Sequence, residues 1–193
     1  MRRWIALLLG CSLTLPAFAA DETLFGDDYV WNLFTRLDVK HSDIGIDDGF
    51  IGGVQVGGIL NDRLAIGLGG YGLLDKIQTE PNGYDNPKQF DIMYGGLTLE
   101  YRLFAHKLLH ASLGTLVGVG KMDLTRTADG KHKEIDLFVV EPQLSLIINI
   151  TAASEFGIGL GYRHADPDED VKGLEKDDLS GFVATLFVRL TEF

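Results

Sequence analysis

The sequence predicts an all-β fold, an eight-stranded antiparallel up-and-down transmembrane β-barrel. Three observations predict it. Hydrophobicity alternates with a period of two, and no uncharged run after the first twenty residues exceeds 13 residues. The connections between the alternating segments are short and long in turn. The face opposite the apolar one mixes charged residues with glycine. A period of two belongs to strands, and runs of that length fall short of the ~20 apolar residues of a membrane-spanning helix.

The first element is a leader. Arg2-Arg3 is followed by an apolar stretch from Trp4 to Leu15 and then by Pro16-Ala17-Phe18-Ala19-Ala20. That is the pattern of a secretory signal peptide, 1–19, with cleavage expected after Ala19 or after Ala20 and one barrel domain over 20–193. Leu8-Leu9-Gly10-Cys11 has the outline of a lipoprotein box, but Cys11 leaves too little hydrophobic chain before it. Loss of Arg2 and Arg3 takes the net charge from −11 to −13. Nucleic acid would be repelled from such a surface rather than steered to it. Cys11 is the only cysteine, so the mature chain has no disulfide, thiol nucleophile or cysteine metal site.

Eight strands follow. Strand one, near 30–40, sets Leu33 and Leu37 against Arg36 and Asp38. The second (50–60) sets Val54 and Val56 against Gly53 and Gly57, and the third (63–75) sets Ile66 and Leu68 against Gly67 and Gly69. In the fourth (90–104), Leu97 and Leu99 oppose Glu100 and Arg102. The fifth (108–123) opposes Leu113, Val117 and Val119 to His110, Gly114, Gly118 and Gly120. The sixth (134–150) opposes Val140, Leu144, Leu146 and Ile148 to Glu141 and Gln143. The seventh (155–165) opposes Ile158 and Leu160 to Gly157, Gly159, Gly161 and Arg163. The eighth (179–192) carries Phe182, Ala184, Leu186, Val188 and Leu190 against Arg189. Tight turns are expected at Asn61-Asp62, Ala105-His106-Lys107 and Thr151-Ala152-Ala153. Long charged loops are expected at 41–49, 76–89, 124–133 and 166–178. One elaborated rim is what an up-and-down barrel makes.

Two barrels fit this alternation: a soluble one with its greasy face inward, and an outer-membrane one with its greasy face to lipid. A water-facing row of glycines would only weaken the strands. The interior of an eight-stranded barrel, barely wide enough for side chains, needs small residues beside large charged ones. Trp31, Tyr101, Phe104, Phe138, Phe156, Tyr162 and Phe182 near strand ends suit interfacial girdles. The lumen is expected to hold Arg36, Asp38, Glu100, Arg102, His110, Glu141, Arg163 and Arg189, with Asp38, Glu100 and Glu141 as partners for the arginines.

With leader, strands and loop alternation in place, the whole mature chain resembles the small eight-stranded outer-membrane barrels of Gram-negative bacteria, the class of outer membrane protein X and the barrel of outer membrane protein A. Tyr94-Gly95-Gly96-Leu97 and Gly161-Tyr162-Arg163 look like segments of uncharacterised outer-membrane barrel families. The resemblance implies that terminal Phe193 is an assembly signal for the outer-membrane assembly machinery. Phe193 stands out of phase with the apolar set of strand eight, which calls for a bulge near Thr191-Glu192 or makes the signal imperfect.

Ser112, His110 and Glu100 have the residue types of an acyl-transfer triad and share the inner face if strands four and five pair across 105–107. A hydrogen-bond and salt-bridge network is the competing reading. His41, His106, His132 and His164 are scattered without metal spacing. Asp166, Asp168 and Asp170 follow the opening pattern of a calcium loop, but Val171 stands where glycine is needed. No cofactor is expected, and a metal only weakly at those three aspartates. Arg126, Lys131, His132 and Lys133 form the one basic cluster, suited to lipid phosphate.

The expected function is that of a non-enzymatic barrel of the Gram-negative outer membrane, monomeric, both termini periplasmic. Its plugged interior and long acidic loops suit envelope integrity or contact with surfaces, outer-membrane lipids and lipopolysaccharide. A narrow conduit for a small solute is the alternative, and a lipid-modifying acyl hydrolase or acyltransferase a more distant one.

Overall fold

Alternation along the chain gives each strand one apolar and one polar or small face, and closing the sheet is the way to hide every edge. The computed structural model describes residues 30–44, 47–74, 77–79, 88–126, 132–168 and 179–192. The leader, Phe193 and Asp170 lie outside them, as does Lys131. The described residues form nine strands: β1 (Trp31–Ile44), β2 (Asp47–Leu60), β3 (Leu64–Leu73), β4 (Ile77–Thr79), β5 (Lys88–Leu103), β6 (Leu109–Arg126), β7 (His132–Thr151), β8 (Ser154–Pro167) and β9 (Gly181–Thr191).

The sheet runs β3-β2-β1-β9-β8-β7-β6-β5-β4, all neighbours antiparallel, and the β3–β5 pairing closes it. Short β4 pairs with β5 beyond the end of β3, so the two together make one wall. The result is a closed eight-stranded up-and-down barrel.

The long-loop end differs from expectation. Ile44 pairs with Asp47, so the first connection is the two residues 45–46 and not a loop over 41–49. Leu124 pairs with Lys133 and Thr125 with His132, which puts both ends of the expected loop 124–133 into strands. Charge marked these segments as loops, but a ladder with water on its outer face accepts charged side chains. The short-turn end is as expected. Asn61 and Asp62 take positive φ (50° and 56°), a conformation these residues tolerate. The Asn149 side-chain amide donates to the carbonyls of Ala105 (3.1 Å) and Lys107 (2.9 Å), fastening β7 to the turn after β5.

Burial alternates as the sequence does. Leu33, Leu37, Leu68, Leu97, Leu113, Val119, Leu144, Leu160 and Leu186 point outward and are exposed. So are all seven aromatics assigned to the girdles. Phe34, Tyr71, Tyr94 and Phe187 point inward beside the charges. Glycine makes room for these rings: a Cβ at Gly53 would collide with the Tyr71 ring, and one at Gly157 with the Phe187 ring. β9, the expected eighth strand, ends at Thr191 with Leu190 in phase, and its ladders to β1 and β8 run without a register shift to Thr191 and Leu190 respectively.

Candidate functional site

The lumen is filled by one continuous chain of ion pairs and a second cluster above it. Strand alternation on β1 sends Arg36, Asp38 and Lys40 to the same side, and closure brings β5, β7, β8 and β9 within reach across the interior. From the short-turn end, Arg102 on β5 pairs with Glu155 on β8. Glu155 Oε2 accepts from Arg189 at 3.1 Å, and Arg189 also donates to Glu100 Oε2 at 2.6 Å. The same Glu100 oxygen accepts from Arg36 at 3.2 Å, and Arg36 Nε donates to Asp38 Oδ1 at 2.7 Å. Asp38 Oδ2 then accepts from Gln55 and from the Tyr71 hydroxyl, each at 3.2 Å. Low dielectric makes each unpaired charge costly there, so a chain of alternating sign satisfies several at once.

Above this chain, Lys40 pairs with Glu141, and Tyr94 donates its hydroxyl proton to Glu141 Oε2 at 3.0 Å. The Lys40 ammonium lies 3.5 Å from the centroid of the Tyr71 ring, which stacks on Tyr94 at 5.1 Å. Arg36 stacks likewise on Phe187, 3.6 Å from its centroid. Each ring face supplies negative potential to a cation that water cannot reach. Arg163 reaches the Leu179 carbonyl at 3.2 Å and Ser42 Oγ at 3.1 Å. Between chain and cluster lies a gap of about 30 Å³, bordered by Arg36, Lys40, Glu100, Ser112 and Glu141.

All eight residues assigned to the lumen face it and are buried. The pairing differs from the expected one: Arg102 is bound to Glu155. Glu141 is bound to Lys40 and Tyr94, not to an arginine. Two charged members fall outside the sequence expectation, Lys40 and Glu155. Lys40 stands at the end of the expected first strand and Glu155 at the start of the expected seventh, where the alternation has fewest neighbours to mark it. Parity could have found both, since Lys40 follows Arg36 and Asp38 at steps of two, and Glu155 precedes Gly157, Gly159 and Gly161.

The acyl-transfer arrangement does not assemble. The Ser112 hydroxyl is buried without a hydrogen-bond partner among the described residues. His110 Nε2 lies 3.4 Å from Arg102, and the Glu100 carboxylate is engaged by Arg36 and Arg189. Asp166 and Asp168 are exposed near the end of β8, and no group of three or more metal-ligating side chains occurs among the described residues. Arg126, His132 and Lys133 belong to paired strands rather than to a loop.

No family model and no curated protein sequence matches the chain. Solved structures do. Neisserial surface protein A aligns at TM-score 0.63 and 12% identity over 85% of this chain and 99% of its own. A major outer membrane protein from Thermus thermophilus aligns at TM-score 0.56 and 9% identity, over 83% and 99%. Ail, the attachment invasion locus protein of Yersinia pestis, solved with the heparin analogue sucrose octasulfate, aligns at 0.51 and 10% over 84% and 97%. At these identities the likeness is one of fold, that of the small outer-membrane barrel.

Proposed function

We propose that this chain is an integral, non-enzymatic barrel of a Gram-negative outer membrane, and that it serves envelope integrity or surface and lipid contact through its wall and long-loop rim rather than transport through its lumen. Residues 1–19 act as the export leader, both termini face the periplasm, and Phe193 helps the assembly machinery recognise the chain. The observation that carries this reading is the pairing of charge and burial. The outer face is apolar around the barrel, and the inner one is closed by ion pairs from Arg102 to Asp38 and by Lys40–Glu141. Such a surface is stable with lipid outside and is wrong for water on either face. A gap of about 30 Å³ holds only a few waters, too little for a hydrated solute.

Two measurements test it. Fractionation of cells should place the mature protein in the outer membrane, in a form whose electrophoretic mobility changes on heating. Reconstitution in planar bilayers should give at most brief, small conductance events. Steady nanosiemens-scale conductance would replace this reading with that of a conduit.

A further inference from the structure

Most of the outer wall bristles with aliphatic side chains, but one stretch at its long-loop half is bare. Two ladder rows cross β2, β3, β5, β6 and β7 there. One runs Val54, Gly70, Gly95, Val119, Phe138, and the next runs Gly52, Gly72, Met93, Lys121, Asp136. Gly70, Gly95 and Gly52 come from the doublets Gly69-Gly70, Gly95-Gly96 and Gly52-Gly53, each of which places one glycine inward and one outward, and Gly72 stands alone. The barrel covers other outward glycines with its own side chains: Gly58 lies under Trp31, and Gly52, at the edge of the bare stretch, under Leu74. At Gly70 and Gly72 a Cβ would meet nothing within 4 Å. The outcome is an apolar groove of about 1080 Å³, walled by Val54, Met93, Val119 and Phe138, with Lys121, Asp136 and Asp168 at its outer end.

We propose that this groove seats one acyl chain of an outer-leaflet lipid, the lipid A part of lipopolysaccharide, with a headgroup phosphate beside Lys121. The inference rests on the outer-membrane reading above. The groove is continuous with the lipid-facing band, so hydrocarbon is what meets it. A chain lying on the bare backbone regains dispersion contacts that a wall without side chains otherwise lacks. A second copy of the barrel fits worse, because a concave face against its own twofold image encloses a void. Lys121 is bound to Glu134, but their side chains are 61% and 54% exposed, and so open a pair holds weakly enough to give way to a phosphate.

The test uses the mature protein in detergent micelles with magnesium present, hexa-acylated lipid A as probe, and native mass spectrometry to count the lipid retained. Wild type should hold one lipid A per barrel. Gly70→Leu with Gly72→Leu fills the groove where space is open, so it should fold as wild type does and weaken retention by about tenfold or more. Leu37→Ala, on another wall, should leave retention unchanged. Lys121→Ser should weaken phosphorylated lipid A more than its dephosphorylated form. Wild-type retention by the folded double variant, or by Gly72→Val alone should the double variant not fold, overturns the seat. Equal weakening of both lipid forms by Lys121→Ser overturns the headgroup placement. Recovery of wild type outside the outer membrane sinks the underlying reading. An outer-membrane protein whose lipid retention ignores Gly70 and Gly72 sinks this inference alone.

Discussion

Removing Glu141 should strand a lysine in the middle of the barrel. Lys40 is 1% exposed and its partner 3%, so water cannot take over the carboxylate's role. After Glu141→Ala the ammonium keeps the Tyr94 hydroxyl at 3.3 Å and the Tyr71 ring face at 3.5 Å. Breaking a buried pair from one side costs about 3–5 kcal/mol, and the ring face keeps the loss near the lower figure. Tyr94 also loses the acceptor it holds at 3.0 Å, which adds about 1 kcal/mol. The expected total is about 4 kcal/mol. Adding Lys40→Met and placing leucine at 141 removes both charges together, and the cost should fall to about 1 kcal/mol, Tyr94 being the group still unpaired. Urea unfolding in detergent micelles reads this directly, because Trp31 is the one tryptophan left once the leader with Trp4 is removed. The reasoning is refuted if Glu141→Ala shifts stability by less than about 0.5 kcal/mol, the size of an ordinary surface change. It is refuted equally if the double variant is as unstable as the single one. The first result would mean that the lumen is wet, and the second that the loss comes from packing and not from a stranded charge.

Glu155→Ala should cost at least as much as Glu141→Ala, about 3–5 kcal/mol, because Glu155 neutralises both Arg102 and Arg189. The cost should not add simply to that of Glu100→Ala, since Arg189 is shared; additive values in the same urea assay would show the chain to be two separate pairs. Leu68→Arg, at a position 63% exposed on the lipid face, should lose about 2–4 kcal/mol of barrel stability, and wild-type stability in lipid vesicles would reverse the facing. Gly157→Leu should fail to assemble for another reason, its side chain meeting the Phe187 ring inside; heat-modifiable mobility identical to wild type would show that the ring has somewhere to go. An epitope inserted near Asn82 should bind antibody on intact cells and one at Asp62 should not, so labelling at Asp62 without permeabilisation would invert the topology. Ser112→Ala should leave the lipid mass spectrum of the cell unchanged, and altered acylation would restore a catalytic reading.

The number of walls and the side each residue faces were legible in the chain, because a strand's side chains alternate whatever surrounds it. Parity alone sets Leu68 on the face opposite Gly69, Arg36, Glu100 and Arg163, and the glycines among those charges mark that second face as the crowded inner one. Tight turns were legible too, since Asn61 and Asp62 accept a backbone that most residues resist. Strand ends at the long-loop rim were not: the charges of 41–49 and 124–133 look the same in a loop and in a ladder standing in water. Nor could parity say which carboxylate meets which cation. Lys40–Glu141 and Arg102–Glu155 join strands far apart in sequence, and what brings them together is the register around a closed barrel. The bare groove at Gly70 and Gly72 has the same origin. Each doublet supplies one outward glycine, but only pairing β3 with β5 sets Gly70 beside Gly95. A period of two is a local property of the backbone, whereas a neighbour across the sheet or the lumen exists only once the sheet has closed.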